Sequence, residues 1–520
     1  MSLQTTLLNS YNYNTLNSIF LKLISKPFKK TFILGLLYFF YKNYVFLKNK
    51  NNKLVAILYL FPYFRNSINK KLSLETNKLE KNLESGYENF NHLPEKGTNE
   101  SELNKKLELF KNNNSKKNIS GIIYCNNELD IIVNKFYTKY SKTNPLHADI
   151  YPQIRNMEID IVNVCKKLYK CRNNGCGSLT SGGTESILLA CQTYRDYCKE
   201  LENIEYPNII GFNTIHPAFD KACHYFNIKL IKVHNLDQMR KQINSNTILL
   251  VVSAPDYPYG LIDPIYEVNS LALKYNKNIH IDACMGGFLL PFLEEFKYIN
   301  FELPGVSSIS MDTHKYGFAP KGSSVLLFKD FKIKKYQHFI NDEWCGGVYA
   351  TPTMLGSKPG GIIAGTWASL FLRGFSGFES ISREINNNLK FIVSSISKID
   401  SLEVIGNPKL NIVAVKSNTL DIYQVVNDMK SKNWVLSTMQ NPPAFHFCVT
   451  DLHTKDICKK LCSDLESSCQ KVLQSENTEL KGQLAIYGGE DNLEKGLFVK
   501  EIIHDYIFLL SNRKISHRYK

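Results

Sequence analysis

Lys315 lies in a polar turn between two apolar runs, Val306–Ser310 and Val325–Phe328, that have the pattern of β-strands. Most lysines are solvated surface cations. Here Thr313 and His314 precede the amine and can hydrogen-bond an anion, and aromatic residues follow that can cover its stem. A partly desolvated lysine has a lowered pKa and can attack a carbonyl to form a Schiff base. We therefore predict a nucleophilic Lys315 with a lowered pKa.

A second candidate site is a Gly-rich turn at the start of an amphipathic helix. Gly182 and Gly183 allow close backbone approach, and Ser181 and Thr184 offer hydroxyl groups. The free N–H groups and the dipole at a helix N-terminus bind phosphate. An ordinary helix cap after a Gly turn is the equally weighted alternative. The spacing matches neither a Walker A motif nor a dinucleotide-binding motif.

Strand-like runs alternate with helical patterns along the middle of the chain, which predicts an α/β domain with a largely parallel sheet. Ligands bind such sheets at the carboxyl ends of the strands. His216, Asp282 and Lys315 each follow or end one of these runs. The runs are Ile209–Phe212, Lys229–Val233, Ile248–Val252, Ile279–Ile281 and Val306–Ser310.

These candidates together fit one cofactor, pyridoxal phosphate. It needs a lysine amine, a carboxylate that holds its ring nitrogen protonated, a flat group against the ring and an anion cradle. Lys315, Asp282, His216 and the turn Ser181–Thr184 supply these four features in that order. The pattern contains no Cys-x-x-Cys zinc motif, although the chain has 13 cysteines, and we predict no metal site.

The charge of the chain is concentrated at its N-terminus. The formal net charge is +15, yet no acidic residue precedes Glu75 and eleven lysines and arginines do. A nucleic-acid-binding protein would carry its charge on the folded body, so we exclude that class. The apolar stretch Thr31–Leu47 sits within this basic segment and is close to the length of a spanning helix. We predict a membrane-anchor region over residues 1–66; a buried anchor helix is the alternative.

The remaining chain divides into three predicted parts. Residues 67–118 are rich in Asn, Lys and Glu and indicate a helical or flexible linker. Residues 119–384 form the large cofactor-binding domain with an N-terminal extension. Residues 385–520 form a smaller α+β domain, in which Asn411–Val415 and Phe445–Val449 have the pattern of strands.

Six motifs make the chain resemble the sphingosine-1-phosphate lyases, a family in the group II decarboxylase-like branch of the fold-type I pyridoxal-phosphate enzymes. The resemblance runs from about residue 119 to the C-terminus. The motifs are Asn144–His147, Thr180–Ile187, His280–Phe288, Asp312–Ser324, Gly346–Thr353 and Gly356–Gly361.

The resemblance implies a fold-type I large domain and retro-aldol cleavage of a phosphorylated long-chain sphingoid base to a fatty aldehyde and phosphoethanolamine. It makes Lys315 the Schiff-base residue, Asp282 the partner of the ring nitrogen and His216 the stacking group. Gly183, Thr184 and His314 would lie near the cofactor phosphate. Gly182, Ser181 and Thr313, which flank these residues, complete the predicted cofactor-binding set.

Further residues are implied for the substrate phosphate or for proton transfer, and the resemblance leaves open which one is the base. Lys321 and Tyr349 are the catalytic candidates among them. The substrate-binding candidates are Tyr124, Asn144, His147, Ser357 and Lys358. Lys358 stands where arginine is usual in the family, and lysine lacks the bidentate fork of a guanidinium.

The resemblance also implies partners and a location. Family members form homodimers whose loops complete each other's sites, so the loop Gly346–Gly361 would act in trans. An anchored enzyme of this kind would lie in the endoplasmic reticulum membrane with its catalytic part facing the cytosol. A pyridoxal-phosphate amino-acid decarboxylase is the alternative, because the fold and cofactor are shared. A membrane-tethered scaffold with a dead site is disfavoured by the intact Lys315, Asp282 and His216.

Overall fold

The computed structural model describes residues 97–108, 118–122, 124, 129–474 and 503–510, together with six single positions between 70 and 81. The chain divides into two compact units, Met1–Lys111 with Leu480–Lys520, and Asn112–Glu479. The first unit contains helix α1 (Glu100–Glu108). In the same unit the buried Thr76 hydroxyl donates to the Asp505 carboxylate at 2.8 Å.

The predicted anchor segment, residues 31–47, and much of the predicted linker lie outside the described residues. Within the described ranges, no helix has the length and apolar character needed to cross a membrane. The same part of the chain holds no group of three or more His, Cys, Asp or Glu side chains that could bind a metal ion.

A seven-stranded sheet forms the centre of the second unit. Its strands are β1 (Cys176–Thr180), β2 (Asn208–Phe212), β3 (Lys229–Val233), β4 (Thr247–Ser253), β5 (Asn278–Asp282), β6 (Val306–Met311) and β7 (Ser324–Phe328). They lie in the order β1-β7-β6-β5-β4-β2-β3. Strands β2 to β6 pair in parallel, and β7 is antiparallel to both neighbours. The predicted α/β class with a mainly parallel sheet is confirmed.

Helices flank this sheet in the second unit. They are α2 (Leu129–Tyr140), α3 (Pro152–Leu168), α4 (Gly183–Glu202), α5 (Ala218–Phe226), α6 (Leu236–Gln242), α7 (Ile265–Tyr275), α8 (Phe331–Lys334) and α9 (Gly360–Ile396). The predicted apolar face of α4 is buried through Ile187, Leu188, Cys191 and Tyr194. It packs with residues of α5 and of the sheet in one apolar cluster. Burial of this face therefore fixes the start of α4 above the sheet.

A smaller antiparallel sheet follows in the same unit. It contains β10 (Glu403–Val404), β11 (Ile412–Lys416), β12 (Ser437–Met439) and β13 (Ala444–Cys448), in the order β10-β11-β13-β12. Helices α10 (Ile422–Ser431) and α11 (Lys455–Gln474) accompany it. The two predicted strands correspond to β11 and β13. The predicted domain boundary at residue 384 falls within α9, so a separate C-terminal domain stays a prediction.

The loop between β4 and α7 joins the two sheets. Gly260 has a φ of +73°, and a Cβ atom there would lie 2.2 Å from the backbone oxygen of Ile412 on β11. The carbonyl of Pro258 lies 3.0 Å from Nδ1 of the buried His446 on β13. This close contact holds the smaller sheet near the carboxyl edge of the central one.

Because of this contact, we expect Gly260→Ala to destabilise the protein more than the same substitution does at a positive-φ glycine in open space. Gly374 has a φ of +61°, and a Cβ there would meet nothing within 4 Å. Gly374→Ala should cost about 1–3 kcal/mol of unfolding free energy from backbone strain, and Gly260→Ala about 1–3 kcal/mol more than that, because overpacking is added. Urea unfolding of the two variants measures the difference. Equal losses would show that the close approach has no energetic role.

Candidate active site

A cavity of about 310 Å³ opens at the carboxyl edge of the central sheet, where the Gly-rich turn meets the lysine turn. All but Asp282 and Thr313 of the nine predicted cofactor-binding residues line it. The lining residues are Ser181, Gly182, Gly183, Thr184, Glu185, Ile187, His216, Cys284, Asp312, His314 and Lys315. Residues that are up to 134 positions apart in the sequence therefore converge on one site.

Lys315 lies in the turn that follows β6, with 21% of its side chain exposed. Its ammonium Nζ is 2.7 Å from Oδ2 of Asp312. Burial lowers the pKa of Lys315, but the charge of Asp312 and a hydrogen bond to it outweigh burial and leave the pKa raised. The predicted lowering of this pKa is therefore wrong, because the sequence analysis did not include the paired carboxylate.

Asp312 is the principal residue that the sequence analysis missed. Only 2% of its side chain is exposed, and Oδ1 has no hydrogen-bond partner among the described residues. A Cβ atom at Gly183 would lie 2.8 Å from each carboxylate oxygen, so only glycine allows the start of α4 to approach so closely. A signal was present in the sequence, since Asp312 directly follows β6 just as Asp282 ends β5.

Asp282 is buried at the carboxyl end of β5. Its Oδ1 accepts hydrogen bonds from the Cys284 backbone N–H at 3.1 Å and from the Ser310 hydroxyl at 3.4 Å. Cys284 also lines the cavity, and burial followed by the charge of Asp282 raises the pKa of its thiol well above the ordinary value. The thiol is therefore protonated beside a carboxylate that two donors orient.

His216 is half-buried in the turn between β2 and α5. Its Nδ1 accepts a hydrogen bond from the backbone N–H of Ala218 at 3.1 Å. The ring proton of the neutral imidazole is therefore on Nε2. Tyr257 packs edge-on against the imidazole, with the ring centroids 6.5 Å apart. The hydrogen bond and the ring contact together restrain the orientation of the imidazole.

The Gly-rich turn has hydroxyl groups exposed to the cavity and a buried carboxylate that holds the turn in place. Ser181 and Thr184 are exposed to the cavity, whereas Glu185 is buried. The Glu185 carboxylate accepts the backbone N–H of Ser181 at 2.5 Å and that of Met354 at 2.9 Å. It thus ties the turn to the loop before α9. No local sequence pattern predicts this role, because the loop partner is 169 residues away.

The two residues before the lysine face different directions. The buried Thr313 hydroxyl donates to Ser323 at 2.7 Å, and Thr313 does not line the cavity. His314 does line it, and its Nδ1 accepts from the backbone N–H of Ser323 at 3.3 Å. Burial, and more weakly the nearby lysines, lowers the pKa of His314 despite the charge of Asp312. A neutral imidazole therefore faces the cavity at neutral pH.

A second cavity of about 270 Å³ adjoins the first through His314, which lines both. It contains Tyr124 and Lys321, and the Lys321 ammonium lies 4.7 Å from the Tyr124 ring centroid. Burial and the charge of Lys315 lower the pKa of Lys321. The other lining residues are Ile122, Asp130, Val133, Asn134, Phe318, Ala319 and Pro320. The cavity thus offers a cation, Lys321, in a lining that is partly apolar and partly polar.

Three other predicted substrate residues form a loop contact outside both cavities. Asn144 Oδ1 accepts the backbone N–H of Lys358 at 3.2 Å. The Lys358 ammonium is buried in an ion pair with Glu158. His147 is exposed in the same turn as Asn144. Lys358 therefore stabilises this contact within its own chain, and its ammonium does not face either cavity.

The last two predicted residues, Tyr349 and Ser357, are exposed. Tyr349 begins β9 (Tyr349–Thr351), which pairs with β8 (Phe339–Asn341) in a two-stranded hairpin. Its side chain is 42% exposed, and neither residue lines the two cavities. Within this chain, the structure brings seven of the nine cofactor candidates to one cavity and Tyr124 and Lys321 to the other, but neither cavity includes these five positions.

The site fits pyridoxal phosphate. A Cβ at Gly183 would fill the cradle, and a Cβ at Gly182 would come within 3.4 Å of His314. Asp312 Oδ2 pairs with the Lys315 ammonium, and Oδ1 is a buried polar atom without a partner among the described residues. Ser181 and the backbone N–H groups at the start of α4 would hold the phosphate, Asp282 the ring nitrogen, and His216 one face of the ring.

Comparison with known proteins gives the family. The sequence profile of the pyridoxal-dependent decarboxylase conserved domain matches residues 100–417. Sphingosine-1-phosphate lyase 1 of Rattus norvegicus is 38% identical over 457 residues, which are 84% of this chain and 80% of the relative. The sphingosine-1-phosphate lyase of Oryza sativa is 40% identical over 392 residues, 72% of each chain.

Solved structures agree with the sequence relatives. A sphingosine-1-phosphate lyase of Burkholderia pseudomallei superposes with a TM-score of 0.74 at 30% identity, covering 82% of this chain and 98% of the other. A glutamate decarboxylase of Lactobacillus brevis superposes with a TM-score of 0.66 over 76% and 97% of the two chains, and its 18% identity shows a shared fold alone. The chain belongs to the sphingosine-1-phosphate lyase family of pyridoxal-dependent enzymes, and its cofactor is pyridoxal phosphate.

Proposed function

We propose that this enzyme cleaves phosphorylated sphingoid bases between C2 and C3, which yields a fatty aldehyde and phosphoethanolamine. The observation that carries the proposal is the pair of cavities that share His314 as a lining residue. One contains the half-buried amine of Lys315 and seven of the nine cofactor candidates, and the other contains the cation of Lys321 in a lining of mixed apolar and polar residues. This arrangement suits a substrate that has an amine, a phosphate and a long hydrocarbon chain.

When bound, pyridoxal phosphate supplies an aldehyde for the amine and a ring that withdraws electrons from the bond that breaks. Residues of the protein attach the cofactor, hydrogen-bond its ring nitrogen and cover its ring. Lys315 provides the attaching amine, Asp282 accepts the hydrogen bond of the protonated ring nitrogen, and His216 covers the ring. In a low-dielectric site the charged contact of Asp282 is strong, so the carboxylate maintains the ring in its electron-withdrawing form.

Proton transfer at Lys315 involves Asp312. The ion pair at 2.7 Å favours the ammonium form, and only a neutral amine is a nucleophile. The amine must therefore lose a proton before the cofactor attaches. The Asp312 carboxylate is the counter-ion of this ammonium, so its charge opposes loss of the proton. Its burial against Gly183 keeps it in that position.

Substrate binding follows from the second cavity. Lys321 can pair with the substrate phosphate, and the Tyr124 hydroxyl lies in the same cavity. His314 separates this phosphate from the cofactor cavity. The residue that removes the proton from the C3 hydroxyl is open among Tyr124, His147, Lys321, Tyr349 and Ser357. An amino-acid decarboxylase is the alternative, supported by the shared fold of the glutamate decarboxylase.

The location and assembly of the enzyme are further proposals. Residues 31–47 would anchor it in the endoplasmic reticulum membrane, with the catalytic part facing the cytosol. A homodimer is supported by the hairpin β8–β9, whose Ile340, Trp344 and Val348 are 64%, 53% and 73% exposed. A second copy would cover these side chains. The loop Gly346–Gly361, with Tyr349 and Ser357, would then complete the partner's site.

We expect the purified full chain to release a long-chain aldehyde from sphinganine-1-phosphate and no carbon dioxide from glutamate. Lys321→Ala should raise the KM for the phosphorylated base about tenfold or more, because a charge-assisted contact is lost. Lys329→Ala is the matched control, since Lys329 lines neither cavity. Carbon dioxide release from glutamate would favour the decarboxylase, and absence of both products would refute the proposed enzymatic activity.

Membrane attachment and assembly are measured on the same preparation. We expect the full chain to stay in the membrane fraction after alkaline washing, because an inserted apolar helix resists extraction. After detergent extraction, sedimentation should give a protein mass of two chains. Trp344→Asp should shift the protein to one chain, whereas Tyr206→Asp, at another exposed aromatic residue, should not. Extraction by alkali or a single-chain mass in the parent protein would refute the respective proposal.

A further inference from the structure

A chain of buried polar side chains runs beneath the cofactor cavity, from the core of the sheet to Asp282. His280 and Asp282 lie on β5, and in the parallel register they pair with Ser308 and Ser310 on β6. His280 is fully buried, and Nδ1 lies 2.8 Å from the Ser308 hydroxyl while Nε2 lies 3.2 Å from the Ser310 hydroxyl. None of these groups except Asp282 has a role in the chemistry described above.

The hydrogen bonds in this series of side chains all run in one direction, toward Asp282. An ionised Asp282 only accepts, so the Ser310 hydroxyl donates to its Oδ1 at 3.4 Å. Ser310 must then accept from Nε2–H of His280, which leaves Nδ1 to accept from Ser308. The Tyr194 hydroxyl on α4 lies 3.0 Å from the Ser308 oxygen and 2.6 Å from the oxygen of Ser307, which is its nearer acceptor. From Ser308 onward, each group donates a hydrogen bond to the next, and the last donor, Ser310, donates to the Asp282 carboxylate.

The His280 imidazole in this hydrogen-bonded series is neutral. Burial lowers the pKa of His280 to about 4, despite the opposing charge of Asp282. A neutral ring lets the carboxylate keep its full charge for a ligand, whereas an imidazolium would compete for it. Both described hydrogen bonds to Asp282, from Cys284 and Ser310, reach Oδ1. These two hydrogen bonds restrain the rotation of the carboxylate.

We propose that His280 is a positioning residue, which holds the Asp282 carboxylate through Ser310 in the orientation that accepts the ring N–H of the cofactor. The inference rests on pyridoxal phosphate as the cofactor and on Asp282 as the partner of its ring nitrogen. A histidine that merely fills the core would affect all parts of cofactor binding alike. His280 should instead affect only the part that depends on the ring nitrogen.

The test compares two ligands on the apoprotein of the full chain: pyridoxal phosphate, and its analogue with a carbon atom in place of the ring nitrogen. Dissociation constants come from quenching of protein fluorescence. We expect the parent protein to prefer pyridoxal phosphate about tenfold or more, as for a charge-assisted hydrogen bond. His280→Leu should remove most of this preference while the affinity for the analogue stays within about twofold.

Two polar substitutions at His280 distinguish a positioning role of the side chain from a packing role. The amide N–H of His280→Gln can still donate to Ser310 and should retain the preference, whereas His280→Asn is one methylene shorter and should lose it. His453→Leu is the matched control, because His453 is also buried but its Nδ1 accepts from Thr450. It should leave the preference unchanged.

The outcomes are distinct. Equal losses for both ligands in His280→Leu, or equal preferences in the Gln and Asn variants, would overturn the positioning role. If the Leu variant fails to fold, the Gln and Asn pair decides alone. A parent protein that binds both ligands equally would refute the role of Asp282 itself, and one that binds neither would refute the cofactor, so these failures are separable from that of His280.

Discussion

The site depends on the ion pair between Lys315 and Asp312. Placing a carboxylate with 2% exposure beneath a helix start is costly unless a cation compensates, and the amine of Lys315 is that cation at 2.7 Å. The pair fixes the direction of the lysine side chain into the cavity. It also sets the protonation state that the amine has before any carbonyl arrives.

The surrounding structure holds this pair rigidly. Tyr316 donates from its buried hydroxyl to the Val449 carbonyl at 2.6 Å, and Ser369 on α9 donates to the Gly317 carbonyl at 2.8 Å. The lysine turn is thereby tied to the region after β13 and to a long helix. Parallel strands bring Asp282 and His216 to the same edge. The enzyme thus combines a fixed amine, a fixed carboxylate and a fixed ring plane.

Much of this arrangement could be predicted from the sequence. Strand-like runs followed by His216, Asp282 and Lys315 indicated a parallel sheet with its ligand edge, because strand ends converge there whatever the loops do. The sign of the Lys315 pKa shift could not be predicted, since it depends on a side-chain contact rather than on burial. The ion pair of Lys358 with Glu158 spans 200 residues and has no local pattern either. The roles of the individual residues stay predictions.

The rate at which pyridoxal phosphate attaches to the apoprotein, measured as a function of pH, tests the role of the ion pair between Lys315 and Asp312. Asp312 raises the pKa of Lys315, so the neutral amine forms only at high pH, and the rate should rise there. Asp312→Asn removes the charge that favours the ammonium, and we expect the inflection to move to lower pH. Lys315→Ala should show no attachment at any pH. An unmoved inflection in Asp312→Asn, or attachment that persists without Lys315, would contradict the account.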